Sequence, residues 1–226
     1  MKKRIFYTEI AYLFGILFIA LGTAFMERAD FGLSMVVAPA YILHLKISQF
    51  LPFFSFGMAS YTLQALVLIL MMILMRKFKI SYFASFVTAV ILGFVLDGAV
   101  ALVGLIPFDG TVWRFVYYII GMPVVSCGVA FMFHTYFAPE AYDLFVKEVS
   151  VHFGISLGKF KTVFDCVCCL IGVALSFALF GLWNFEGVKL GTVFCALVNG
   201  SLIAFFGKML EKIWTFEDRF DLRKYF

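Results

Sequence analysis

Apolar residues in this chain of 226 residues neither alternate with polar ones nor form narrow stripes; they run on in six long stretches. These lie near residues 7–26, 57–76, 81–105, 112–133, 158–181 and 189–212. Each is long enough to cross the hydrocarbon core of a bilayer, which takes roughly 17 to 25 residues of helix. Backbone groups cannot go unpaired in lipid, and barrel strands would alternate at period two, so the stretches predict helices. The expected fold class is an all-α polytopic membrane protein with six transmembrane helices.

Two of the stretches carry the same phrase. Gly15 and Gly22 precede Ala24-Phe25-Met26, and Gly121 and Gly128 precede Ala130-Phe131-Met132, an offset of 106 residues. The match divides a single membrane domain into repeat one, residues 6–105, and repeat two, residues 112–212, followed by a cytoplasmic tail, 213–226. Gln64 then corresponds to Asp165, and Asp97-Gly98 to Asn199-Gly200. Three spans per repeat is an odd number, so the repeats are expected to cross in opposite senses, as in many secondary transporters.

Each repeat also holds a segment too short to cross, residues 34–47 and 139–153. Both suit a re-entrant or interfacial helix. The second, with Glu140, Asp143, Lys147, Glu148 and His152, is amphipathic enough that lying on the surface and dipping into the bilayer stay equally open. The paired glycines stand seven residues apart, nearly two turns, so they share a helix face where another backbone can approach closely.

Composition agrees: 64% of residues are hydrophobic and only 14% charged, which leaves no soluble domain of useful size. The basic start, Lys2-Lys3-Arg4, precedes an apolar run too long for a cleaved signal core. Alternating the loops from a cytoplasmic N-terminus places fourteen Lys and Arg inside, and only Arg28, Lys46, Arg114 and Lys189 outside. Both termini are therefore expected on the cytoplasmic side. The net charge of +4 is a topology signal and needs no nucleic acid to explain it. From Trp214 to Phe226, aromatic and charged residues intermingle, the composition of a short interfacial helix.

Polar side chains within a span are costly and mark candidate function. Four occur here: Gln64, Asp97, Asp165 and Asn199. Asp97 and Asp165 are the candidates for proton or cation coupling, since a buried carboxyl tends to hold its proton. Lys161, four residues before Asp165, shares its helix face and is a natural partner. Gly98 and Gly200 leave room for a ligand or a neighbouring helix. The five cysteines fall within spans without ligand spacing, and His44, His134 and His152 fall in or near loops, so no metal site and no cofactor are expected. No hydrolase, kinase or nucleotide-binding pattern occurs, and no catalytic residue is assigned.

At Ala29-Asp30-Phe31-Gly32-Leu33-Ser34 the chain resembles the YczE/YyaS/YitT group of bacterial integral membrane proteins. Asp143-Leu144, Gly154-Ile155-Ser156, Lys161, Asp165 and Gly191-Thr192-Val193 follow the order of that group's Asp-Gly-Leu, Gly-Leu-Ser, Arg, Glu and Gly-Thr elements. Here the glycine after Asp143 is missing, and Lys161 and Asp165 replace the usual Arg and Glu, keeping the charge at both. The resemblance implies transporter-like architecture in a bacterial cytoplasmic (inner) membrane, and adds Asp143 and Lys161 to the candidate site.

These readings converge on a small-solute secondary transporter or exporter, proton- or cation-coupled, with a small-molecule or ion substrate. Its site, at the repeat interface, would draw on Gln64, Asp97, Asp165, Asn199, Asp143 and Lys161. The alternative is a non-transporting membrane scaffold for another enzyme or transporter, acting through the tail.

Overall fold

The computed structural model describes residues 4–76, 79–155 and 157–220. In chain order its elements are β1 (Arg4–Tyr7), α1 (Thr8–Ala29), α2 (Ala38–Ile47), α3 (Phe56–Met75), α4 (Ile80–Gly104), α5 (Thr111–Met132), α6 (Ala141–Phe153), α7 (Leu157–Phe180), α8 (Leu190–Ile213) and β2 (Trp214–Glu217). Six helices are long and apolar enough to cross a membrane: α1, α3, α4, α5, α7 and α8. Their bounds fall within about three residues of the sequence expectation. The order long, short, long, long occurs twice.

Side-chain contacts sort the helix ends into two groups. At one end Glu9 of α1 meets Tyr136 and the backbone of Arg219, Lys79 pairs with Glu148, and Ser85 bonds the Pro139 carbonyl. This end carries both described chain termini. At the opposite end Arg28 reaches the carbonyls of Val103 and Ile106, Arg114 grips Asp30, and Leu33 bonds Gly187.

The axis of the bundle is the contact between α1 and α5. A Cβ added at Gly22 would lie 2.7 Å from the Gly121 carbonyl oxygen, and one at Gly128 would lie 2.9 Å from that of Gly15. Gly15 thus faces Gly128 and Gly22 faces Gly121, so the helices run antiparallel and the two copies of the repeated phrase pack on each other. In lipid, apolar side chains gain little by leaving the tails, and close backbone approach through small residues supplies the packing energy instead. Both helices bury more than half of their most apolar window, whereas α7 and α8 bury little.

Around this axis α4 packs on α1 and α8 on α5; α2 lies against α3 and α7, and α6 against α7, α3 and α4. The short helices are therefore wedges between longer ones. α6 buries Tyr142, Leu144, Phe145, Val146 and Val149.

The tail departs from expectation. Trp214–Glu217 is not an interfacial helix but a strand, paired in parallel with Arg4–Tyr7. Phe6 packs on Trp214 at a centroid distance of 4.9 Å, and Thr8 donates to Asp218 at 2.9 Å. Residues 221–226 of the tail lie outside the described residues.

Leucine at Gly22 would force its Cβ against the Gly121 backbone and Val125. Gly22→Leu is expected to cost about 1–3 kcal/mol or more, as overpacking of tight contacts does. Gly98→Ala, whose added methyl meets open space, is expected to stay within about 0.5 kcal/mol. Thermal unfolding of the two variants in one detergent checks the contrast.

Candidate functional site

The two helix pairs that close each half of the chain pack differently. Between α3 and α4 the backbones touch at Gly57 and Gly93, where a Cβ on Gly93 would lie 2.9 Å from the Gly57 carbonyl oxygen. Between α7 and α8, by contrast, contacts are sparse at most among the described residues. A cavity of about 300 Å³ occupies that side of the bundle. Ile19, Met26, Val125, Val129 and Ile203 give it apolar walls, and Glu140, Tyr142, Asp143, Lys161, Asp165 and Asn199 supply polar groups.

Its polar centre is held by three elements. Lys161 Nζ of α7 lies 3.1 Å from Asp143 Oδ1 of α6 and 3.5 Å from Asp165 Oδ1 one turn along its own helix. Asn199 of α8 faces α5, with Ser126 Oγ 2.7 Å from its Oδ1; the single Ser126 proton is shared between that oxygen and the Met122 carbonyl. A wider cavity of about 880 Å³ adjoins this one on the side of the chain termini and shares Asp143, Lys161, Phe133, Gly200 and Ile203 with it.

The opposite end is shut. Leu33 N donates to the Gly187 carbonyl at 3.0 Å, and Gly191 N to that of Phe31 at 2.8 Å. Lys189 and Arg114 both pair with the Asp30 carboxylate across this joint. Gly32 has φ +106°, and a Cβ there would lie 2.5 Å from Thr192 Oγ1, so only glycine lets this loop seat against the start of α8. The Ala29–Ser34 motif is thus part of the closure.

Of the six candidate residues, Asp143, Lys161, Asp165 and Asn199 come together at the cavity. Gln64 and Asp97 do not. Gln64 is fully buried, and its Oε1 accepts from Ala141 N at 3.1 Å, satisfying the first turn of α6. Asp97 Oδ1 accepts from Gly57 N at 2.7 Å and its Oδ2 from Ser55 Oγ at 2.5 Å, while Ser55 Oγ itself caps Met58 N. Both are helix caps, placed where orphan N–H groups and the helix dipole attract an acceptor. Gly98 is likewise not a ligand pocket: it faces outward with nothing within 4 Å.

Two cavity residues stand out beyond the candidates. Glu140 precedes α6 and lines the cavity. Burial, reinforced by the charge of Asp143 and opposed by Lys161, pushes its carboxyl up to about 8. Tyr142 is 3% exposed, and its hydroxyl has no hydrogen-bond partner among the described residues. An acid directly after Pro139 at a helix start was the available signal for Glu140; nothing in the sequence marked Tyr142.

Removing a cap leaves buried donors unpaired at about 1–3 kcal/mol each, so Asp97→Ala and Gln64→Leu are expected to lower the unfolding temperature clearly. Asp165→Asn, at the cavity wall, is expected to change it much less. Folded protein holds the Glu140 proton that unfolded chain releases above its ordinary 4.5. That contribution is full below about pH 4.5 and lost as pH rises through about 8. Unfolding temperatures between pH 5 and 8.5 are expected to fall more steeply in the native protein than in Glu140→Gln.

No curated protein and no solved structure matches the chain. A match to the family of unknown function DUF6198 covers residues 6–208, and the chain belongs to that family.

Proposed function

We propose that this protein is a small-solute secondary transporter or exporter whose solute site is the cavity between α7 and α8. The observation that carries this reading is the unequal closure of two halves built in the same order. One pair, α3 and α4, is zipped through Gly57 and Gly93; its counterpart, α7 and α8, stands apart around charged groups. Inverted repeats that exchange these two packings would open the site first to one side and then to the other. The antiparallel α1/α5 contact supports such an inversion and supplies the axis on which one half rocks against the other.

On this reading α2 and α6 are the re-entrant elements of the two repeats, since each is wedged between long helices rather than lying free. The positive-inside count puts the chain termini in the cytoplasm. The conformation described then faces inward, with the Asp30 joint closing the outer side. Likeness to the YczE/YyaS/YitT group, and with it a bacterial cytoplasmic membrane, belongs to the same proposal. A scaffold gripped through its tail is less supported, because Trp214 and Asp218 are engaged within the chain.

Gly200 lines both cavities, and a side chain there meets open space. In a background without the native cysteines, Gly200→Cys in proteoliposomes is expected to react with a membrane-impermeant maleimide from the side of the termini, and more slowly from the other. Adding Lys189→Ala, which weakens the outer joint, is expected to raise labelling from the opposite side severalfold. Labelling from one side alone, unchanged by Lys189→Ala, would favour a scaffold.

A further inference from the structure

The cavity contains two polar groups that the protein itself leaves unmatched. Lys161 is shared by Asp143 and Asp165, so each of those carboxylates has a cation beside it. Glu140 feels the Lys161 charge only from a distance: its side chain makes no hydrogen bond and no ion pair with a described residue. Two residues on, Tyr142 buries a hydroxyl with no hydrogen-bond partner among the described residues, an unfavourable state for a buried donor. Both residues line one cavity, and both sit at the start of α6, where Gln64 already satisfies Ala141 N.

Three acidic side chains, Glu140, Asp143 and Asp165, share the cavity with one ammonium, Lys161, so acidic groups outnumber basic ones. The groups that act on Glu140 can be named element by element. α6 contributes Asp143 and the Tyr142 hydroxyl, and α7 contributes Lys161 and Asp165. α3 and α4 present Gln64, Ser85 and Thr88, which are uncharged. Among the described residues, no arginine lines the cavity. About 300 Å³ lies at the small end of ligand pockets, and its walls of Ile19, Met26, Val125, Val129 and Phe133 suit an apolar body.

We infer that the cavity binds a small organic cation, a protonated primary amine on an apolar body, with its ammonium at Glu140 and an oxygen or π acceptor at the Tyr142 hydroxyl. Binding exchanges one cation for one proton. With the cavity empty, the Glu140 carboxyl keeps its proton at neutral pH. When the ammonium arrives, the proton leaves Glu140 Oε for bulk water, and the carboxylate left behind pairs with the ligand. Charge balances, no bond within the ligand is broken, and no co-reactant is needed. Within the transport reading on which this rests, Glu140 is the residue that carries either the proton or the solute, which makes the protein a proton/amine exchanger.

The probe is 2-phenylethylammonium, with phenylacetate, of similar size and opposite charge, as control. Native protein in lipid nanodiscs, weakly buffered near pH 7, is expected to release close to one proton per 2-phenylethylammonium bound. Affinity is expected to rise about tenfold per pH unit between pH 5.5 and 7, the slope of one competing proton. Phenylacetate is expected to do neither. Glu140→Gln, which mimics the protonated acid, is expected to lose both proton release and pH dependence while unfolding at or above the native temperature at pH 6. Tyr142→Phe is expected to keep proton release and weaken binding severalfold.

Equal binding of phenylacetate would overturn the inference. So would binding without proton release, native-like release by Glu140→Gln, or failure of 2-phenylethylammonium to bind at all. These outcomes separate from those of the labelling experiment. Two-sided labelling without amine binding leaves a transporter for another solute, and amine binding with one-sided labelling leaves a cation-binding scaffold.

Discussion

The glycine crossing of α1 and α5 is the contact on which the rest of this bundle depends. Apolar side chains are no better off against each other than against lipid tails, so helices hold together where their backbones come close. Gly15, Gly22, Gly121 and Gly128 provide that approach over nearly two turns on each helix. Because the same phrase is written on both helices and the helices are antiparallel, one surface meets its own copy. Under the proposed function, such matched faces are what a rocking axis would need.

What lies on either side of this axis is not matched, and caps explain part of the difference. In the first half Asp97 is engaged by Ser55 and Gly57 at the start of α3, and Gln64 by Ala141 at the start of α6. The position corresponding to Gln64 is Asp165, and the short helix it would serve is α2. There Pro39 has no N–H, and Ala38 N already bonds the Ser34 carbonyl. The first turn of α2 thus makes less demand on an acceptor, and Asp165 turns to Lys161 and the cavity. Where Gly93 lets α4 close on α3, the corresponding position in α8 is Cys195, whose side chain takes up space at the cavity wall. Cap demand at the short helices and side-chain volume at this position both differ between the zipped half and the parted one.

Much of this was legible in the sequence, for identifiable reasons. A run of some twenty apolar residues has one solution in lipid, so the six helices and their bounds followed directly. The glycine face followed from the 3.6-residue period. Gln64 and Asp97 were misleading because a polar residue inside an apolar run reads the same whether its partner is a solute or the end of another helix. The pairing of Arg4–Tyr7 with Trp214–Glu217 was invisible, since four-residue strands carry little pattern and the partner lies at the other end of the chain. Tyr142 stands out because its hydroxyl lacks a hydrogen-bond partner among the described residues, and a missing contact leaves no trace in sequence.

The central claim is that the gap between α7 and α8 and the seam between α3 and α4 are two positions of one exchange. Distances between spin labels report it directly, at the outward-facing pairs Val163 and Phe205 on α7 and α8, and Thr62 and Phe94 on α3 and α4. In lipid nanodiscs each pair is expected to show two populations. A shorter Val163–Phe205 distance is expected to rise and fall with a longer Thr62–Phe94 distance as pH and 2-phenylethylammonium are varied. One fixed distance for both pairs under every condition would contradict the account.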